Sequence, residues 1–141
     1  MDTSGSVAFE VFEKILDKVD LFLYDIKLIN NKVHQKYTGI SNRLILENLI
    51  KLQEKARAVR VRIPLIPGLT DTKSNLNEIV NFLKNETQLR EVDPLPYNQM
   101  GESKYERLEV DYRMCRLKMQ SVEQIEKMKD LFRAAGFMVN E

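Results

Sequence analysis

Leu21-Phe-Leu-Tyr-Asp-Ile-Lys27 decides how this chain folds. It is a short apolar run that turns charged at its end, the pattern of a strand buried on both faces of a parallel sheet. Strand alternation puts Leu21, Leu23, Asp25 and Lys27 on one face and Phe22, Tyr24 and Ile26 on the other. A second run, Val59 to Ile66, is stopped by Pro67-Gly68 and sets Arg60 and Arg62 opposite Val59, Val61, Ile63 and Leu65. A third, residues 91–97, carries Pro94 and Pro96. Proline donates nothing to a ladder, so this strand is expected at a sheet edge.

Helical patterns fill the intervals. Ala8, Phe12, Ile15 and Val19 share one face of a helix predicted over residues 7–19, with Ser4 or Ser6 as its N-cap. The polar pair Asn30-Asn31 reads as a turn, and a helix from about Ser41 aligns Ile45, Leu49, Leu52 and Ala56. Leu76, Ile79, Val80 and Leu83 form a third apolar stripe. Ser121-x-x-Gln124 reads as a capping box opening a helix through Ile125, Met128, Phe132 and Ala135, which Gly136 stops.

Predicted strands begin near positions 20, 59 and 90, about one βαβ unit apart, which implies a parallel sheet with right-handed crossovers. The fold class is α/β. Three or four strands cannot close a barrel, whose eight-stranded form takes about 250 residues. The chain opens with Met1-Asp-Thr-Ser-Gly5, a polar loop of the kind that follows a strand, and no strand precedes it. It is therefore expected to begin mid-fold, as a single incomplete domain over residues 1–141. Residues 98–119 lack periodicity, and so long an irregular stretch reads as a functional loop.

Composition narrows the partners. With 22 basic and 21 acidic side chains, nothing favours nucleic acid or an anionic membrane. No apolar run approaches the roughly 18 residues of a spanning helix. A lone cysteine, Cys115, argues against a disulfide framework and fits a reducing cytoplasm. Cys115 itself reads as inert, and His34, in a loop or short helix, as a surface residue.

The charges at the strand ends carry the functional signal. Asp25, Lys27 and Arg62 are expected to point into the lumen near its upper rim, where parallel barrels keep their sites. Buried without partners, such groups would cost several kcal/mol each. They must therefore neutralise one another, as a structural salt-bridge network, or await a ligand.

Several motifs then fall in a recognisable order: Asp2-Thr-Ser-Gly5, Asp20-Leu-Phe-Leu-Tyr-Asp-Ile-Lys27, His34 with Tyr37-Thr-Gly-Ile-Ser-Asn42, Arg62-Ile-Pro-Leu-Ile-Pro-Gly68, and Leu95-Pro-Tyr-Asn98 with Gly101-x-x-Lys104-Tyr105. Together they resemble the glycyl-radical-enzyme activating enzymes, the pyruvate formate-lyase activating enzyme group of the radical S-adenosylmethionine superfamily. The resemblance implies the C-terminal half of a partial (β/α)6 TIM-like barrel. It implies S-adenosylmethionine and a [4Fe–4S] cluster as cofactors, with the cluster held by a CxxxCxxC loop in the N-terminal half. It implies a glycyl radical enzyme such as pyruvate formate-lyase as partner, and flavodoxin or ferredoxin as reductant.

Carried over by position, Asp25, Lys27 and Arg62 would contact S-adenosylmethionine. Asp2 and Thr3, with Asp25, match the loop that holds a monovalent cation beside the ligand's carboxylate. Asn98 stands where a histidine is common in the family, and an amide still hydrogen-bonds. Lys104-Tyr105 reads either as a contact to the partner protein or as part of a solvated loop, and Pro67-Gly68 reads first as a strand terminator. No CxxxCxxC is present, and one cysteine cannot replace it, so the chain alone is expected to be inactive. Two other readings compete: a truncated, non-catalytic binding module that self-associates through an exposed sheet edge, or an unrelated barrel enzyme with Lys27 as a Schiff-base lysine.

Overall fold

A computed structural model of the chain describes residues 1–98 and 117–140. Lys104, Tyr105 and Cys115 lie outside the described residues. Among the described residues five strands form one sheet: β1 (Asp2–Thr3), β2 (Phe22–Asp25), β3 (Val59–Leu65), β4 (Glu91–Pro96) and β5 (Met138–Val139). They lie in chain order, and every pairing is parallel. The α/β class and the parallel sheet read from the sequence are what the structure has.

Strand alternation works as expected. Phe22, Tyr24, Ile26, Val61, Ile63 and Leu65 are buried on one face of the sheet. The helices α3 (Arg43–Lys55), α4 (Lys73–Glu86) and α5 (Val122–Ala134) cover it with Leu49, Leu52, Leu76, Ile79, Leu83 and Phe132. The capping box at α5 is present in both directions: Ser121 N–H donates to Gln124 Oε1 (2.9 Å) and Gln124 N–H to Ser121 Oγ (3.2 Å).

Four expectations are corrected. Asp2–Thr3 is itself a strand, paired with Leu23 and Tyr24, where a leading loop was read. Two residues are too few to carry a strand pattern, and their pairing uses backbone alone. The helix expected over residues 7–19 is two pieces, α1 (Phe9–Glu13) and a 3₁₀ turn at Leu16–Lys18. Neither Ser4 nor Ser6 caps α1, whose N-cap is Ala8. The buried Asn48 of α3 donates instead to the carbonyls of Gly5 (2.8 Å) and Val7 (2.7 Å), which fixes this segment by its backbone.

Asn30-Asn31 does not end in a turn but opens a further helix, α2 (Asn31–Thr38). The Asn30 side chain caps it by accepting from Lys32 N–H and Val33 N–H, and Gly39 closes it at φ +80°. Finally, β4 is interior, between β3 and β5. Its prolines are tolerated because β5 pairs only with Glu91 and Val92. Among the described residues β4 has β3 alone beside it from Pro94 onward, so the proline argument holds locally and fails for the strand as a whole.

Candidate functional site

The C-terminal ends of β1, β2 and β3 gather the charges that the sequence singled out. Asp25 and Arg62 are register partners on adjacent strands, so their side chains rise from the same face. Arg62 Nε donates to Asp25 Oδ1 at 2.9 Å, and Arg62 Nη2 lies 2.8 Å from the same oxygen. Nη2 also reaches across β2 to Asp2 Oδ1, at 2.6 Å. Lys27 Nζ stands 3.4 Å from the other oxygen of Asp25. One arginine thus joins three strands, and two carboxylates face two cations.

Burial works against the Arg62 charge, but the hydrogen bonds and charges of Asp25 and Asp2 outweigh it and hold the guanidinium above its ordinary value. The site is a fixed, charged platform. Thr3 stands beside it but spends its hydroxyl oxygen on Gly5 N–H, at 3.0 Å. Asn98 lies just past the end of β4 and is exposed. Lys27 is an ion-paired ammonium with a third of its side chain exposed, whereas a Schiff-base lysine needs a desolvated amine.

A second polar layer lies one step down the strands. Arg60 Nη2 pairs with Glu91 at 3.2 Å, and Asn140 Nδ2 donates to Asp93 Oδ1 at 2.7 Å. The inner face of the sheet is therefore charged in two tiers, with Leu21 and Leu23 half-buried beside them.

Three groups that hold the platform were missed by the sequence reading. Asn75 of α4 donates to the carbonyls of Lys27 and Thr70, each at 2.8 Å, and accepts from Ile29 N–H at 3.2 Å. Asn42 donates to the carbonyls of Leu28 (2.9 Å) and Ile29 (2.7 Å). His34, read as a surface residue, is only 3% exposed. Its Nδ1 meets Ile40 O at 2.9 Å, so that nitrogen carries the hydrogen. A signal existed: Asn42, Asn48 and Asn75 each stand three or four residues from apolar positions on a core-facing helical stripe.

Comparison with known proteins is informative at this point. No family model matches. The chain is 40% identical over 97% of its length to the trans-4-hydroxy-L-proline dehydratase activating enzyme of Clostridioides difficile, of which it covers 46%. It is 38% identical over 79% of its length to the choline trimethylamine-lyase activating enzyme of Oleidesulfovibrio alaskensis, of which it covers 37%. The curated relatives it matches are glycyl-radical-enzyme activating enzymes. It spans about half the length, or less, of the curated relatives it matches. In structure the chain resembles a domain of pyruvate-formate lyase-activating enzyme from Bacteroides vulgatus, with a TM-score of 0.75 at 22% identity over 99% of this chain and 77% of that one. A radical SAM methyltransferase from Sphaerobacter thermophilus shares the fold at a TM-score of 0.69 and 18% identity, over 99% of this chain and 38% of that one.

The resemblance implies two cofactors, and the residues answer differently for each. Paired carboxylates and cations on one rim suit S-adenosylmethionine, whose amino-acid end carries an ammonium and a carboxylate and whose sulfonium adds a third charge. An iron–sulfur cluster does not fit, because it needs several thiolates and the sequence holds one cysteine. Among the described residues no three His, Cys, Asp or Glu side chains converge as a metal ion would require. Nor, among them, is any helix long and apolar enough to cross a membrane.

Proposed function

We propose that this chain is the part of an activase barrel that seats the amino-acid end of S-adenosylmethionine, within a protein that installs a glycyl radical on a partner enzyme. The observation that carries this reading is Arg62, tied at once to Asp25 and Asp2 at the rim of β1–β3. Lys27 and Arg62 would receive the ligand's carboxylate, while Asp25 and Asp2 would face its ammonium and sulfonium. Asn98 would add an amide hydrogen bond from the end of β4. Bound there, S-adenosylmethionine supplies the whole protein with the precursor of a 5′-deoxyadenosyl radical.

This chain's own work is to hold and orient. Asp25 keeps Arg62 and Lys27 aimed at one point, and Asn75 fixes the backbone carbonyl of Lys27. A monovalent cation held by Asp2, Thr3 and Asp25 would have to displace Arg62 from Asp2, since that carboxylate is already paired. The thiolates for a [4Fe–4S] cluster would come from residues other than those of this chain. A flavodoxin or ferredoxin as reductant and a pyruvate formate-lyase-like enzyme as partner belong to the assembled activase.

Titration calorimetry of the 141-residue chain with S-adenosylmethionine tests the reading. Saturable binding is expected, with Arg62→Ala weakening it at least tenfold, or about 1.4 kcal/mol, while the circular dichroism spectrum is unchanged. Equal affinity of wild type and Arg62→Ala, or no heat at millimolar ligand, would remove the site from the cofactor's path.

A further inference from the structure

Next to the charged rim, and bordered by two of its residues, lies a cavity of about 220 Å³. Ile26, Leu28, Ile40, Ile45 and Leu46 supply its apolar walls, and Ser4, Asp25 and Lys27 border it. It lies among the end of β2, α2 and the start of α3, and Arg62 is not in its lining. Drug-sized ligands use about 300–1,000 Å³. This space suits something the size of one large side chain.

Apart from Ser4, the polar residues in the lining make hydrogen bonds or ion pairs within the chain. His34 Nδ1 is spent on Ile40 O, Thr38 Oγ1 donates to His34 O at 2.8 Å, and Asn42 Nδ2 serves Leu28 O and Ile29 O. Asp25 and Lys27 answer each other. Few donors or acceptors remain for a polar occupant, and the same bonds hold the walls in place before anything binds. A preformed apolar pocket of this kind loses little freedom on binding.

The elements that form the cavity also carry exposed apolar and basic side chains. Ile40, which lines it, is 43% exposed, and Tyr37 of α2 and Leu44 of α3, outside the lining, are 56% and 41% exposed. Between Leu28 and Leu46 the chain carries Lys32, Lys36 and Arg43 and no acidic residue, in a protein whose net charge is only +1. A free small molecule would fill the cavity but leave this rim unused. A protein segment uses both.

We infer that this cavity is the receptor for one apolar side chain of the partner protein, presented on an extended segment with acidic neighbours that meet Lys32, Lys36 and Arg43. The inference rests on the activase reading for the partner's identity, a glycyl radical enzyme docking beside the cofactor rim. The pocket would then register the partner's backbone against the site, so that one glycine is addressed and its neighbours are not. Ile40, at once exposed and in the lining, would meet the anchor first, and the lysines and arginine set the approach.

Methyl-labelled 141-residue chain, titrated with acetyl-Asp-Gly-Phe-Gly-Asp-amide and its Phe→Ala counterpart, provides the test by NMR. The methyls of Ile40, Ile45 and Leu46 are expected to shift saturably with the Phe peptide, and the Ala peptide to bind at least tenfold more weakly. Ile40→Asp, at an exposed position, should abolish the discrimination while leaving S-adenosylmethionine affinity unchanged. Equal binding of the two peptides, or shifts confined to other residues, overturns the pocket. So do shifts of the same methyls with protein concentration alone, which would assign the patch to a second copy. Intact peptide binding without any S-adenosylmethionine binding would instead overturn the activase reading and leave the pocket standing.

Discussion

Tyr24 and Gly5 make one contact that leaves room for nothing else. The Tyr24 hydroxyl donates to Ile45 O at 2.6 Å from a fully buried ring, and a Cβ at Gly5 would lie 1.6 Å from that oxygen and 2.3 Å from ring carbon Cζ. Gly5 also sits at φ +73°, where a side chain is strained. Gly5→Ala should cost about 3 kcal/mol in urea unfolding. Tyr24→Phe should not rescue it, since Cζ remains; full rescue would show that the clash is with the oxygen alone. Burial pushes the Tyr24 phenol well above its usual value. In the unfolded chain it ionises near pH 10. Its contribution to stability is therefore complete below about pH 10 and declines as pH rises beyond it. Tyr24→Phe should lose about 1 kcal/mol at pH 8 yet show a flatter decline between pH 9 and 11 than wild type. Parallel declines would place the alkaline sensitivity elsewhere.

Helices and strands are tied here by asparagines more than by turns. Asn75 is buried, and its three hydrogen bonds clamp the exit of β2 and the loop after β3 onto α4. Asn75→Leu should cost about 3 kcal/mol, because two carbonyls and an amide lose their partner in a buried place. It should also weaken S-adenosylmethionine binding by releasing the backbone of Lys27. A destabilised variant with undiminished affinity would make Asn75 purely structural. Such ties explain what the sequence hid. Periodicity found α3, α4 and α5, since their apolar stripes repeat, and strand alternation put Asp25, Lys27 and Arg62 together. It left α2 undecided between a loop and a short helix, since its one buried side chain is a histidine and its start is set by the Asn30 cap. It could not find β1 or β5, each two residues long. The pairing of Asp2 with Arg62 followed from that missed strand. The charged rim was legible from patterning and resemblance, and its scaffold of buried amides was not, because an Asn in a helix is ordinary until its partners are known.

The described residues present a parallel sheet with helices on one side and two tiers of charge on the other. Among the described residues β1 has a neighbour only in β2, so its outer edge offers unpaired backbone groups to another strand. The isolated 141-residue chain should self-associate at tens of micromolar, seen as a sedimentation coefficient that rises with concentration. A constant monomer value would mean that this edge is shielded. Asp2 sits on that edge and completes the Arg62 pairing, so association through β1 should perturb the rim as well, and high salt should affect both together.

The strand order has a consequence for how the chain reaches its shape. Because β1 to β5 lie in the sequence in which they are synthesised, each new strand docks on the one just made, and no strand has to wait for a distant one. Loops of a few tens of residues are the longest that need closing, and closure entropy grows only with the logarithm of loop length. Assembly can proceed from one edge toward the other as the polypeptide emerges, with every intermediate showing a fresh ledge for the next strand. Order of arrival, and not a single central nucleus, would then govern folding. Chains shortened from the C-terminus one βα unit at a time should retain native-like pairing in the units that remain.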